Sequence, residues 1–561
     1  MKRYPLDYNP ILEYWKAIGC GEEIVGVKIR KTYAKIVRDL SDAGSEWYYS
    51  PARANHVLEF AENYCHLIQG SSGLIALELW EKAMLAAIFG FVNIEGIRKY
   101  TEAVLIIGKK NGKSLLASIV GLYLQLADGE PGPEIYAVAT KKDQARKIWL
   151  VGKQMLKKSP ALRKRAKPQS HEINSDDYNN GFFKPLASDV DTLDGLNVHG
   201  VLMDEIHQWK NGKALYDIMA DGITARDQPL IFITSTAGTI RDDFYDQKYE
   251  EGERLVNGYD DPGGYHDDRT VFFIYEIDKR AEWMDPACWK KANPGLGTIK
   301  NLRALEEKVE KAKQRPALVK NLICKEFNIP ETSEESWLTF EQLNNTETFR
   351  VAELKPRYGI GGVDLSATTD LTAAVVMFQV RGDSKVYALS MFWIPESKVE
   401  EKITQEDARY GQWIEQDFVR VCPGNRITYS SVTDWFLEVQ NDLDIYIPWV
   451  GYDRAFSGDW AEGMRNEFGP ESMVPVAQGA MSLSIPMKTL GADLEAKKVN
   501  YNNNPVLKWC MTNVSYIEDN NANIKPAKPR FKSTKRIDGF AALLDAYYVW
   551  LENNAEYHGM I

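Results

Sequence analysis

Paired cysteines are absent. Cys20, Cys65, Cys288, Cys324, Cys422 and Cys510 are scattered over 561 residues with no CxxC spacing, and the seven histidines add no metal-ligand pattern. Neither a disulfide framework nor a zinc site is expected; the thiols read as small buried hydrophobes. Long apolar runs are missing too. No stretch approaches the roughly 20 apolar residues of a membrane span. The opening MKRYPLDYNP lacks the apolar centre of a secretory signal. A cytoplasmic protein without a membrane partner is expected. There is also no excess of positive charge: the formal net charge is −11. That argues against a basic nucleic-acid coat protein, while leaving room for an enzyme with local basic patches. No internal repeat or low-complexity tract occurs.

What is present is an ordinary globular composition, 44% apolar and 26% charged. The length exceeds what one hydrophobic core usually serves, so at least two domains are expected. Residues 1–100 read as mostly helical and irregular, with Trp15, Trp47 and Trp80 as packing anchors. From about 100, short apolar runs alternate with helical stretches: AVLIIG (103–108), EIYAVAT (134–140), HGVLM (199–203) and LIFITST (230–236). This alternation predicts a mostly parallel sheet covered on both faces. A charged helical stretch, 300–325, is interrupted at Pro316, and TSEESWL (332–338) reads as a linker. Then YGIGGVDLS (358–366), LTAAVVMFQV (371–380) and KVYALSMFWI (385–394) predict an antiparallel meander. IPWVGYD (447–453) is a further strand, and the chain is expected to close on the apolar helix 537–551.

The sharpest local motif is Gly108-Lys109-Lys110-Asn111-Gly112-Lys113-Ser114, between a predicted strand and a predicted helix. That is the context of a P-loop. Backbone N–H groups near Gly112 would cradle phosphates at the helix N-terminus. Lys113 would meet the β- and γ-phosphates, and the Ser114 hydroxyl a Mg²⁺ ion. The spacing departs from the usual one, which wants glycine at 107; here Ile107 stands there and glycine comes one place later. About 90 residues on, Val201-Leu202-Met203 runs into Asp204 and Glu205. Asp204 suits Mg²⁺ held through water, and Glu205 suits polarising the water that attacks the γ-phosphate. Thr234-Ser235-Thr236-Ala237-Gly238 ends the next strand with hydroxyls that can sense the γ-phosphate. Together these predict ATP hydrolysis.

The second half offers Asp364 at the end of a strand, Asp453 at the end of another and Asp538 at the start of a helix. Strand ends and a helix start can converge, and three carboxylates suit Mg²⁺ or Mn²⁺ rather than zinc. Two such ions can activate water against a phosphodiester. Asp370 and Asp545 remain open as additional ligands. Lys525, Lys528, Arg530, Lys532, Lys535 and Arg536 form a basic run leading into Asp538, suited to DNA phosphates. Lys141, Lys142, Arg146, Lys147, Lys153, Lys157 and Lys158 make another. No base-reading motif is apparent.

With these motifs in place the chain resembles the large terminase subunits of tailed bacteriophages. SDVDTLDGLNVHGVLMDEIHQW (188–209) is similar to that family's segment around the acidic pair, His207 included, and Lys109 matches a basic residue four places before the P-loop lysine. QGAMSLSIPMKTL (478–490), NNPVLKWCMTNV (503–514) and KRIDGFAALLDA (535–546) extend the similarity. The resemblance implies an α/β chain with a RecA-like P-loop (ASCE) ATPase domain over 1–335. Residues 1–70 would be a helical extension, 336–355 a linker, and 356–561 a ribonuclease H-like nuclease. It assigns 234–238 as a coupling motif and Asp364, Asp453 and Asp538 as nuclease residues. It further implies ATP and Mg²⁺ as cofactors, double-stranded viral DNA, a portal protein and a small terminase subunit as partners, a ring that is a pentamer when packaging, and a place in the host cytoplasm. One departure concerns the adenine: the family has glutamine where Glu81 stands, and a carboxylate can accept from the adenine N6 but not donate to N7. Arg226 and Arg241 are candidates for an arginine acting on a neighbouring subunit. The other reading of the motifs is a cellular DNA-repair helicase–nuclease. It would need a second RecA-like lobe, for which the first domain has no room.

Overall fold

The computed structural model describes the chain apart from residues 69–72, 188–194, 210–211, 239–243, 262, 316–317, 332–335, 367–370, 400–409, 455–457, 520 and 529–534. It divides into two units, Met1–Thr239 with Asp243–Pro330 and, chiefly, Glu331–Ile561.

The first unit is built on one sheet of β1 (Glu102–Ile106), β2 (Glu134–Ala139), β3 (Lys167–Pro168), β4 (Ile173–Ser175), β5 (Gly181–Ala187), β6 (Val198–Asp204), β7 (Leu230–Ser235) and β8 (Thr270–Ile274). Their spatial order is β8-β1-β7-β6-β2-β5-β4-β3. Pairing is parallel from β8 to β5 and antiparallel at the β4 and β3 edge. The parallel centre follows from the continuous apolar runs, since strands covered on both faces need no polar side. Successive side chains point to opposite faces. Ala103, Leu105 and Ile107 accordingly enter one core, and Val104 and Ile106 another with Met203, Trp209 and Phe244. The first core also takes up α1 (Pro10–Cys20), α2 (Val27–Asp39), α3 (Pro51–Tyr64), α4 (Leu79–Gly90), α5 (Lys113–Leu126) and α6 (Lys142–Lys158). The N-terminal stretch is thus part of this unit's packing, with Ile11, Tyr14, Ile29 and Tyr33 buried. The charged stretch forms α7 (Leu302–Gln314) and α8 (Val319–Phe327).

The second unit carries β9 (Tyr358–Asp364), β10 (Thr372–Phe378), β11 (Val386–Pro395), β12 (Val419–Cys422), β13 (Tyr446–Asp453) and β14 (Met473–Val476), in the order β12-β11-β10-β9-β13-β14. The expected meander is there: β9, β10 and β11 are antiparallel neighbours. The sheet continues in parallel strands on both sides. Ala373, Val375 and Met377 enter one core and Ala374, Val376 and Phe378 the other, so helices cover both faces. Two helices matter for the site, α9 (Ala480–Glu495) and α10 (Asp538–Glu552). Phe540, Leu543, Leu544 and Tyr547 of α10 are buried, each contributing about 1.5–3 kcal/mol.

Two expectations are corrected. Residues 336–355 do not form a free linker. Leu343 is buried, Asn345 donates its backbone N–H to Tyr501 Oη at 2.8 Å, and Lys497 Nζ bonds Asn344 O at 2.7 Å. Nor does the chain end on α10, because a short helix, Asn554–Met560, follows it and buries Tyr557.

Candidate functional site

β1 delivers its C-terminal end to a loop whose backbone is held from behind. Ile107 continues the strand, with its N–H on Ser235 O at 3.0 Å. The turn starts one residue later, where Gly108 N bonds Ala292 O at 3.1 Å and Lys109 N bonds Lys325 O at 3.0 Å. This accounts for the shifted glycine. A Cβ at 108 would stand 2.5 Å from Asn293 Oδ1 and 2.8 Å from Glu326 O, whereas Ile107 is strand core. Lys110 (φ +68°) and Gly112 (φ +84°) take left-handed conformations, which turn the loop into the N-terminus of α5.

Asn111 is fully buried and cross-links the loop. Its Nδ2 donates to Gly108 O and to Asn293 Oδ1, both at 2.9 Å, and its Oδ1 accepts from Gly295 N at 3.3 Å. Asn293 in turn donates to Glu326 O at 2.8 Å and accepts from Lys300 Nζ at 2.6 Å. Lys300 pairs with Glu326 at 2.7 Å; burial pulls its pKa down to about 8, with Lys308 and Lys113 adding to the fall and Glu326 opposing it.

The acidic pair closes the site. Ser114 Oγ donates to Asp204 Oδ2 at 2.9 Å and Thr234 Oγ1 to Asp204 Oδ1 at 2.7 Å. The ends of β6 and β7 are thereby tied to the P-loop helix. Burial and the neighbouring Glu205 raise the Asp204 carboxyl, against Lys113 and the two hydroxyls. Glu205 adopts φ +53° and ψ +42°. Its Oε1 lies 3.6 Å from Lys113 Nζ and its Oε2 3.2 Å from His207 Nδ1. Burial raises Glu205, yet Lys113, His207 and Lys109 outweigh it and hold the carboxylate below its ordinary value. His207 also reaches Ser235 Oγ at 3.2 Å and Thr236 Oγ1 at 3.4 Å. A Cβ at Gly238 would press on His207 Cβ at 2.9 Å. Ala237 N bonds Asn328 Oδ1 at 2.6 Å. The 234–238 stretch therefore touches both Asp204 and the ring beside Glu205.

Glu81 faces the same loop. Its Oε2 accepts from Glu78 N at 2.8 Å in a capping box of α4, and its Oε1 is 3.8 Å from where a Gly112 Cβ would be. Burial pushes its pKa up to about 8. That shift favours the neutral carboxylic acid, which can donate as well as accept.

Arg226 is corrected as a candidate for acting on a neighbour. It pairs with Glu130 at 2.9 Å and donates to Pro131 O, Gly132 O and Asn197 O. These bonds commit it to its own chain. Arg241 lies outside the described residues, as do Asp370, Arg530 and Lys532.

In the second unit, β9 and β13 are parallel, with Gly362 opposite Gly451 and Val363 opposite Tyr452. Asp364 and Asp453 therefore end adjacent strands side by side. The glycines are required by α10, which lies directly on them. A Cβ at Gly451 would be 2.6 Å from Asp545 O, and one at Gly362 would overlap Ala542 O and Ala546 N. The same helix brings Asp538 and Asp545, both buried, to the strand ends. Burial drives the Asp364 carboxyl well above its ordinary value, and Asp538, Asp545 and Asp453 repel its charge further, with Lys528 opposing. Asp545 is raised to about 8 by burial and by Asp453, while Gln478 Nε2, 3.1 Å from its Oδ1, lowers it. Four carboxylates are thus electrostatic neighbours. Among the described residues, however, no three acidic, histidine or cysteine side chains stand close enough to form a ready-made ion cage. The donor set is nonetheless all oxygen, crowded with like charge and partly desolvated, which is the chemistry a hard divalent cation relieves.

Asn293, Asn328 and Gln478 were not found from sequence. Each acts across a long separation, and none lies in a recognisable spacing. The only trace was Gln478 at the start of the quoted 478–490 stretch.

A family model for the terminase large subunit ATPase domain matches residues 79–254, and one for the terminase large subunit endonuclease domain matches 265–554. The large terminase subunit of Enterobacteria phage HK97 is 26% identical over 508 residues, 88% of this chain and 94% of that protein. Protein YmfN of Escherichia coli strain K12 is 27% identical over 367 residues, 63% and 77% respectively. The crystal structure of the HK97 large terminase covers 89% of this chain and 99% of its own, at 23% identity and a TM-score of 0.46. The endonuclease match starts at 265, yet β8, α7 and α8 belong to the first unit, where they flank β1 and back the P-loop. That match alone spans more than half of the sequence, and with the ATPase match before it the chain belongs to the terminase large subunits, which makes it both an ATPase and a DNA endonuclease.

Proposed function

We propose that the first unit, with the P-loop residues Gly108 to Ser114, is the motor that drives double-stranded viral DNA into a procapsid, and that the second unit cuts the concatemer. Lys113 binds the β- and γ-phosphates, Ser114 and Asp204 hold Mg²⁺, and Glu205 is the base for the attacking water. Asp364, Asp453 and Asp538 hold Mg²⁺ or Mn²⁺ for cleavage, with Asp545 positioned beside them by Gln478. The ion supplies Lewis acidity and a lowered water pKa when bound; the protein supplies the carboxylates, their burial and the Lys528 charge. The partners are a portal protein, a small terminase subunit and further copies of this chain in a ring, taken as a pentamer, working in the host cytoplasm.

The reading rests chiefly on one observation. Ser114, Asp204, Thr234, Glu205 and Lys113 form a single connected constellation at the end of a parallel sheet, in the same polypeptide as the crowded carboxylates. Among the described residues there is one RecA-like sheet, which does not favour a helicase. Addition of proheads to the purified chain with DNA should stimulate ATP turnover several-fold. Stimulation by DNA unwinding substrates, with none by proheads, would favour the helicase–nuclease instead.

A further inference from the structure

Met481 and Ile485 of α9 are 82% and 72% exposed, the most exposed large apolar side chains among the described residues of the second unit. The helix buries its other large apolar residues, Leu483, Met487, Leu490 and Leu494. Positions 481, 484, 485 and 488 share one stripe at helical spacing. Half of that stripe is already used. Ser484 Oγ accepts from Ile524 N at 3.2 Å, and Lys488 Nζ donates to Ala522 O at 2.9 Å. These bonds dock the hairpin of β15 (Ser515–Glu518) and β16 (Ile524–Ala527) against α9. On the hairpin, exposed Ile517 pairs across from Lys525, and Tyr516 from Pro526.

Both ends of this surface border the acids. Gln478, three residues before Met481, reaches Asp545 at 3.1 Å. Lys528, just past β16, is near enough to Asp364 for its charge to act on that carboxyl. From these placements the geometry points to a DNA-engaging surface. Met481 and Ile485 press into the groove of the duplex beside the phosphate to be cut, and Lys525 and Lys528 hold the flanking phosphates. The inference rests on the reading of Asp364, Asp453 and Asp538 as the cutting site.

The dimensions agree. Met481 to Ile485 spans about 6 Å at roughly 1.5 Å per residue, within a groove roughly 6–12 Å wide. Lysines stand on this surface for phosphates: Lys488 follows Ile485 by three positions on α9 and Lys525 lies across from Ile517 on the hairpin, while Glu518 and Asp519 lie at the hairpin's turn. Apolar wedges of this kind partly unstack a base step, and the cost is lowest where the duplex is already deformable.

The test uses the full chain with both Met481→Ser and Ile485→Ser, whose exposed positions leave the fold intact; unchanged ATPase activity without DNA checks this. A short synthetic duplex is titrated in EDTA at several salt concentrations, then cut in Mg²⁺ with and without a central mismatch. Affinity for the intact duplex should fall about tenfold with an unchanged salt slope. Cutting should fall likewise on the intact duplex, but much less on the mismatched one, where unstacking is prepaid. Lys525→Gln with Lys528→Gln should instead lower the salt slope by about 2. Unchanged affinity and cutting overturn the proposal. So does a loss seen only with proheads present, which would make the surface a protein-docking face. If Asp364→Asn still cuts, the cutting-site reading fails, a result separate from the affinity measurement.

Discussion

Lys113 Nζ stands 3.6 Å from Glu205 Oε1, while Oε2 of the same carboxylate faces His207 Nδ1 at 3.2 Å. Both oxygens thus have partners within the protein, on a backbone at φ +53° that costs a non-glycine residue about 1–3 kcal/mol. A γ-phosphate at Lys113 would compete for that charge and release Oε1 towards water. Glu205→Gln keeps the shape and removes the base. ATP turnover is expected to fall by about 10²–10⁴, with nucleotide affinity changed only a few-fold. Phosphate release and a fluorescent-nucleotide titration measure the two; ordinary turnover would take Glu205 out of this role.

Asn293 tests the loop's support. It satisfies Asn111 and Lys300 at once, in a site with no exposure. Asn293→Ala removes one hydrogen bond from each of two buried donors, which keep Gly108 O and Glu326 as partners, at a cost of about 0.5–1.5 kcal/mol each. The P-loop should loosen, so KM for ATP should rise more than kcat falls, and thermal unfolding of the first unit should shift down. Nuclease activity on short duplexes should be unchanged. A wild-type KM would mean that the loop holds its shape without this cross-link.

These two cases show what could be read from sequence and what could not. Lys113, Asp204 and Glu205 sit in short motifs next to apolar strands, so local spacing reveals them. Asn293 is 182 residues from Asn111, and only the folded chain brings them together. Gly362 and Gly451 were visible as letters, but their meaning depends on α10, far along the chain. Arg226 was one of two arginines singled out as candidates for acting on a neighbouring subunit, and sequence carries no sign of the three carbonyls that bind it. Strands β1, β6 and β7 were legible because runs buried on both faces leave no polar side to obscure them.

Glu81 makes a prediction about pH. Burial raises its carboxyl to about 8, so it is neutral below that value and ionises as pH rises through it. Ionisation removes the donor and places a negative charge beside the phosphate-binding loop. Nucleotide affinity should therefore weaken between about pH 7 and 9. Glu81→Gln, which cannot ionise, should flatten that dependence and keep the neutral-pH affinity. Glu78, Lys82 and Glu62 are the charged groups around it, and Lys300, also near 8, titrates in both proteins. The difference between the two profiles isolates Glu81; parallel profiles would exclude it.

Asp364→Asn separates the two activities. It removes the carboxylate most strongly crowded by its neighbours. Plasmid cutting should be lost while ATP turnover stays within about twofold. EDTA should abolish both, since each site depends on a divalent ion. Titration calorimetry with Mn²⁺ on the wild type and the variant should show at least one binding event missing. Retained cutting would move the metal site away from β9.

The glycines beneath α10 give the most stringent test of the architecture. Gly362 and Gly451 let the helix backbone rest on β9 and β13, and a side chain at 362 would run into Ala542 O and Ala546 N. Gly362→Val must push α10 outward or twist it. Overpacking of this kind costs typically about 1–3 kcal/mol, but the functional effect should exceed the loss of stability. Asp538 and Asp545 ride on the displaced helix, whereas Asp364 and Asp453 stay on the strands, so the carboxylates are pulled apart. Cutting should fall below about one hundredth of wild type, since misplacement of about 1 Å already costs some 10²-fold. ATP turnover, housed in the other unit, should persist, and Mn²⁺ affinity should drop with cutting. A variant that unfolds partly but cuts normally per folded molecule would show that α10 does not need this contact to place its acids.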